Sequence, residues 1–156
     1  MKTRKLTSTV VLCLAISSLC HAADSPFMGT WKLNEAKSKI PAGAAKNTTV
    51  VYAAAAGGMT SVTTDGVDRS GKPTHSEWTG KFDGKPYPVT GTPGTDSRSV
   101  TAKDDRTLEI ANMNGGKVVG TGKTEVAKDG KTRTLETETT GPDGKKSKAK
   151  FEFDKQ

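Results

Sequence analysis

His75 is flanked by Thr74, Ser76 and Glu77, the residue types from which a base-activated nucleophile is built. Consecutive strand residues face opposite sides of a sheet, so Ser76 points away from His75 and the sequence predicts a solvated outer-face histidine. Glu136 and Glu138 share a strand face about 7 Å apart by strand rise, a separation suited to glycosidic acid–base work. Leu135 takes the opposite face, which puts both carboxylates outside as solubilising charges. Asp104 and Asp105 lack the further oxygen ligands that a calcium loop supplies at fixed spacing. Gly120-Thr121-Gly122 with Lys123 has the glycines and the cation of a phosphate-cradling loop. Strand-like Val118, Val119 and Val126 surround it, however, and no helix follows, so the glycines read as a bend or close packing within a long strand.

Lys145, Lys146, Lys148 and Lys150 form the densest basic run. Its even-numbered members share a face with Glu152 and Asp154, and no aromatic residues interleave to stack on bases. Nucleic-acid binding is therefore not predicted, and binding to an anionic envelope surface is the secondary reading of this run. Neither a metal constellation nor any other cofactor site is predicted, and the chain does not read as an enzyme.

Those assignments depend on which residues the mature protein keeps. Lys2, Arg4 and Lys5 precede an apolar stretch from Leu6 to Leu19 and a small-residue exit at Cys20-His21-Ala22, the layout of an export signal. The stretch is shorter than the roughly 20 apolar residues that span a bilayer, so no integral membrane span is predicted. Cleavage after Ala22 is expected, with Ala23 as the alternative. Cys13 and Cys20 each follow leucine, whereas a lipidated cysteine needs a small residue before it. The expected organisation is a signal peptide over 1–22 and one β-barrel domain over 23–156, a periplasmic or secreted monomer. Removing the leader takes both cysteines, one of two histidines and three positive charges from a chain whose net charge is +7. The mature chain then has no disulfide to draw on, so its stability must come from burial.

Turn signals recur at Gly57-Gly58, Asp65-Gly66, Ser70-Gly71, Asp83-Gly84, Asn114-Gly115-Gly116, Asp129-Gly130 and Asp143-Gly144. Between them lie Thr- and Val-rich stretches without helical periodicity. The pattern predicts an all-β fold, an antiparallel up-and-down meander closing into a lipocalin-like barrel of about 8–10 strands. Alternation places Phe27, Trp31 and Leu33 on one face, and likewise Trp78, Gly80 and Phe82, then Leu108 and Ile110, then Ala149, Phe151 and Phe153. One short helical turn is expected at Asn34 to Ile40, capped by Asn34, stopped by Pro41 and crossing a barrel mouth. Tyr87 to Asp96, with Pro88, Gly91, Pro93 and Gly94, reads as a loop on the rim of a binding site.

Gly29-Thr30-Trp31-Lys32-Leu33 resembles the Gly-x-Trp opening of the calycin barrels, the lipocalins and fatty-acid-binding proteins. The resemblance implies that Trp31 closes one barrel end and packs near a basic residue from a late strand. Over nearly the whole mature chain, the segments Gly29 to Asn34, Asp83 to Gly91 and Lys128 to Thr132 resemble small exported bacterial proteins of unknown function. Two departures limit what is carried over: Asn34 to Asn47 leaves no room for a helical lid, and no arginine follows Arg133 to complete a carboxylate clamp.

The barrel interior is thus the expected functional region. Trp31, Trp78, Phe82, Phe151 and Phe153 are the candidate lining of a site for a small apolar or amphipathic ligand, with Tyr52 as a polar handle. The same residues would equally fill a solid core, leaving the surface to an envelope-interaction or stress-protective role. Val50-Val51-Tyr52 does not settle which face of its strand is inward.

Overall fold

The computed structural model describes residues 25–140 and 144–156; the expected signal peptide and Asp143 lie outside them. Ten strands follow in order. The first five are β1 (Gly29–Leu33), β2 (Lys46–Ala55), β3 (Met59–Val67), β4 (Pro73–Gly80) and β5 (Asp83–Thr90). The rest are β6 (Ser97–Asp104), β7 (Thr107–Asn114), β8 (Lys117–Val126), β9 (Thr132–Thr140) and β10 (Lys146–Lys155). Each pairs antiparallel with its sequence neighbour, and β1 pairs with β10 to close the barrel. Closure removes the free sheet edge that an open meander would expose.

Inward positions follow the period-2 pattern. Trp31, Val50 and Thr64 face one another through successive register pairs, as do Tyr52, Val62 and Trp78. Leu135 pairs with Phe151, and Arg133 with Phe153. Among the described residues the buried core comprises thirteen hydrophobic ones, including Phe27, Trp31, Tyr52, Trp78, Leu108 and Phe153.

Four local readings change. The helical turn forms as a 3-10 turn at Glu35–Lys37, with Asn34 Oδ1 accepting from Lys37 N at 3.2 Å. Instead of crossing a mouth it runs beside β10: Asn34 N donates to Glu152 O, and Lys39 and Lys150 exchange backbone hydrogen bonds. Asp65-Gly66 is not a turn but lies inside β3, paired with β2 and β4; a Cβ at Gly66 would collide with the Lys46 carbonyl where β2 bulges between Asn47 and Thr49. The glycine therefore serves close backbone approach. Tyr87 to Thr90 are strand, which confines the expected loop to residues 91–96. Val89 N–H points toward β6, donating to Asp96 O, so the alternate Pro86 and Pro88 turn their missing donors toward β4. That seam is thin, with the register Glu77↔Thr90 and Trp78↔Val89. Asp83-Gly84, read as a turn, opens β5 with Gly84 at φ 78°.

Candidate functional site

At the end of the barrel where the chain enters β1, the N-terminal segment meets the β4–β5, β6–β7 and β8–β9 turns. They enclose a depression of about 530 Å³. Phe27, Phe82, Ala102, Leu108 and Ala127 supply its apolar lining. Asp104, Asp105, Arg106 and Lys128 stand on its turn-borne rim. The size falls within the range of small-molecule sites, and an apolar floor with a charged rim suits an amphipathic occupant. Asp104 is held below the usual carboxylate range, chiefly by the Arg106 backbone N–H and then by the Thr107 hydroxyl, so the rim keeps its negative charge.

The floor is anchored from beneath. Trp31 Nε1 donates to the Phe27 carbonyl at 2.7 Å, fixing the segment that carries the Phe27 ring. That ring meets Phe82 edge-on at 6.3 Å and Tyr52 at 5.9 Å, while Trp78 stacks on Phe82 at 6.3 Å. Such geometries favour aromatic pairs beyond simple area burial. Below Tyr52 lies Arg133, only 1% exposed. Its guanidinium sits 4.3 Å from the Phe153 ring centroid, 5.5 Å from Tyr52 and 5.6 Å from Trp31. Arg133 Nη1 donates to Tyr52 Oη and Thr124 Oγ1, each at 3.3 Å, whereas Nε and Nη2 are buried without an acceptor. Burial lowers the guanidinium pKa, and the Tyr52 phenol opposes this. The basic residue against Trp31 thus comes from β9; Lys155 Nζ of β10 also lies 5.2 Å from the Trp31 ring.

Among the six expected lining residues, Trp31, Tyr52 and Phe153 gather on Arg133, and Trp78 joins Phe82. Phe151 is buried at 7% beside them. Phe82, half-buried, is the one member that reaches the mouth depression. Tyr52, whose orientation the sequence left open, points inward. Phe27 and Arg133 were missed as site residues. Parity aligns Phe27 with Trp31 and Arg133 with Leu135, but a charged side chain on an inward position runs against the rule that buried charges are paired.

The other chemical candidates lie outside. His75 is exposed, with Nδ1 2.7 Å from Asp65 and Nε2 3.3 Å from Glu77, and these two hydrogen bonds raise its pKa. Ser76 is half-buried on the opposite face. Glu138 accepts from Lys146 at 2.7 Å and pairs with Lys148 at 3.4 Å; Lys150 pairs with Glu152 at 2.9 Å. The basic run is therefore partly neutralised within the chain. A groove of about 760 Å³ crosses the outer face of β6 to β10, with Glu109, Lys123, Glu136 and Lys150 along it. Among the described residues no group of three His, Cys, Asp or Glu is placed to hold a metal ion, and no helix is long and apolar enough to cross a membrane.

These features define a closed ten-stranded antiparallel barrel with an apolar mouth. No family model and no curated protein matches the chain. Among solved structures it is similar to EF1p2_mFAP2b bound to DFHBI, with 12% identity and a TM-score of 0.48, over 89% of this chain and 100% of that one.

Proposed function

We propose that this chain is an exported, monomeric, calycin-like barrel that binds a small apolar or amphipathic molecule at its mouth. The observation that carries the reading is the depression of about 530 Å³, floored by Phe27, Phe82 and Leu108 and rimmed by Asp104, Arg106 and Lys128. Apolar groups would replace water over the floor while a polar end stays at the rim. The test is titration with the neutral fluorophore N-phenyl-1-naphthylamine. The proposal expects saturable enhancement that Phe82→Ala weakens severalfold while the fold persists by circular dichroism. Absence of binding, or equal binding by that variant, overturns it.

A second reading is favoured by the burial of Trp31, Trp78 and Phe153 at 0–2% and by the filling of the core with Arg133. In it the interior is structural and the outer face meets an envelope partner. Salt-sensitive co-sedimentation with envelope fractions, unaffected by Phe82→Ala, would favour this reading over the first.

A further inference from the structure

Closure of the barrel leaves one short stretch of β10 without a neighbour. Lys39 N donates to Lys150 O at 2.7 Å and Lys150 N to Lys39 O at 2.9 Å. The Glu152 carbonyl accepts from Asn34 N at 2.7 Å, and its N–H donates to Ser38 Oγ at 2.9 Å. The backbone groups of these even-numbered residues therefore point away from β9. The alternation of an antiparallel ladder directs those of Lys146 and Lys148 the same way. On that side β1 covers β10 only from Phe153 to Lys155. The chain beyond Lys39 departs at Pro41, which has no N–H to offer Lys148 and whose carbonyl accepts from Ala44 N at 3.0 Å in a local turn. Among the described residues no backbone group reaches Lys146 or Lys148 from that side, and both are exposed, as is Ser147 between them.

A row of N–H and C=O groups without partners is a template for an incoming strand. The side chains along it select which strand. Lys146, Lys148 and Lys150 stand on the outer face with Lys39 beside them, and the small Ser147 and Ala149 alternate with them on the inner face. Lys146 and Lys148 share a single carboxylate, Glu138, at 2.7 and 3.4 Å. Opposite charges on facing strand residues stabilise a sheet and like charges destabilise it, so a second copy of β10 is repelled and an acidic strand is drawn in. Lys39, Lys148 and Lys150 also line the end of the outer groove of about 760 Å³, which leaves room for the outward side chains of an added strand.

We propose that the Lys146–Lys148 edge binds an extended acidic segment of a partner protein by strand addition. The segment runs antiparallel to β10, as Lys39 does at Lys150, with carboxylates beside Lys146 and Lys148 and small or apolar residues beside Ser147 and Ala149. Hydrogen bonds to the N–H and C=O of the two lysines give affinity, and the lysine side chains choose the sequence. β10 begins at the barrel end opposite the mouth depression, whose lining contains none of these residues, so the two surfaces act separately.

The test uses the full chain labelled with nitrogen-15 and an end-blocked peptide of alternating Glu and Val. In the free protein the Lys146 and Lys148 amides should exchange rapidly with solvent; saturating peptide should slow them and shift the resonances of β10 and Lys39. When Glu lies beside Lys146 and Lys148, the Glu N–H groups face β10 and the Val N–H groups face away. N-methylation of the Glu residues keeps every charge and should weaken binding about tenfold or more, whereas N-methylation of the Val residues should leave it within about twofold. A peptide of alternating Lys and Val should bind about tenfold more weakly than the acidic one. Lys148→Pro removes an N–H that no strand uses and should abolish the protection, while Lys148→Ala keeps the edge and should weaken binding only a fewfold. Circular dichroism checks the fold of the proline variant, and the methylated peptides decide the matter on the wild type if that variant does not fold. No binding, equal binding of the Glu-methylated or the Lys-containing peptide, or full binding by a folded Lys148→Pro variant overturns the inference. Protection of the Lys148 amide that grows with protein concentration in the absence of peptide assigns the edge to a second copy and overturns it as well.

Discussion

Replacing Arg133 by methionine and by lysine gives two different outcomes if the guanidinium is held by aromatic faces and not by counter-charge. Arg133 is 1% exposed, has three rings within 5.6 Å, makes two long hydrogen bonds of 3.3 Å, and leaves Nε and Nη2 without acceptors. Methionine keeps most of the stem and its ring contacts. It forfeits the cation–π attraction, about 0.5–2 kcal/mol per ring, and the long hydrogen bonds to Tyr52 and Thr124, about 1 kcal/mol each at most. Against this it removes two orphan donors, about 1–3 kcal/mol each, together with the desolvation of a charge. The two sides cancel to within about 2 kcal/mol. Lysine keeps the charge in a more strongly hydrated form but loses the planar face that lies on Phe153. Its loss should exceed that of methionine by about 2 kcal/mol or more. Urea denaturation read by tryptophan fluorescence, with m-values compared to confirm two-state behaviour, measures both. Lysine as stable as methionine, or more so, would refute the reasoning, because it would mean that an acceptor neutralises the charge.

His75 should titrate above the ordinary imidazole value of about 6.5, since Asp65 and Glu77 favour its charged form. A raised native pKa gives stability that is complete below the unfolded value and lost as pH rises through the native one. The melting temperature of the wild type relative to His75→Gln should therefore fall with rising pH above about 6.5, and parallel curves would exclude this. Trp31→Phe removes the 2.7 Å donor from the Phe27 carbonyl and should cost about 1–3 kcal/mol in urea denaturation. Gly91→Ala places a Cβ at φ 72° against the His75 carbonyl and should cost more than about 1 kcal/mol. Gly94→Ala, at φ 71° with open space around it, should cost less by the same assay.

The faces of the strands could be read from sequence because antiparallel pairing imposes a period of two. Trp78, Gly80 and Phe82 share their side of β4 and its turn, and Phe151 and Phe153 share theirs on β10. The failures are nonlocal. Asp65-Gly66 has turn chemistry in isolation, yet its glycine is required by the Lys46 backbone of another strand. Pro86 and Pro88 argue against strand until it is known that their nitrogens face a thin seam. Arg133 shares the parity of Leu135, but its burial depends on rings from β1, β2 and β10 that only closure brings together. The mouth depression was not legible for the same reason: its lining comes from four separate segments, and of the expected site residues Phe82 alone extends into it.

Chemical-shift mapping of the full chain with N-phenyl-1-naphthylamine tests the central claim most directly. Binding at the mouth predicts saturable shifts clustered at Phe27, Phe82, Ala102, Leu108 and Ala127, the residues that line the depression. Shifts confined to the outer groove around Thr121, Lys123 and Glu136, or none at all, would contradict it.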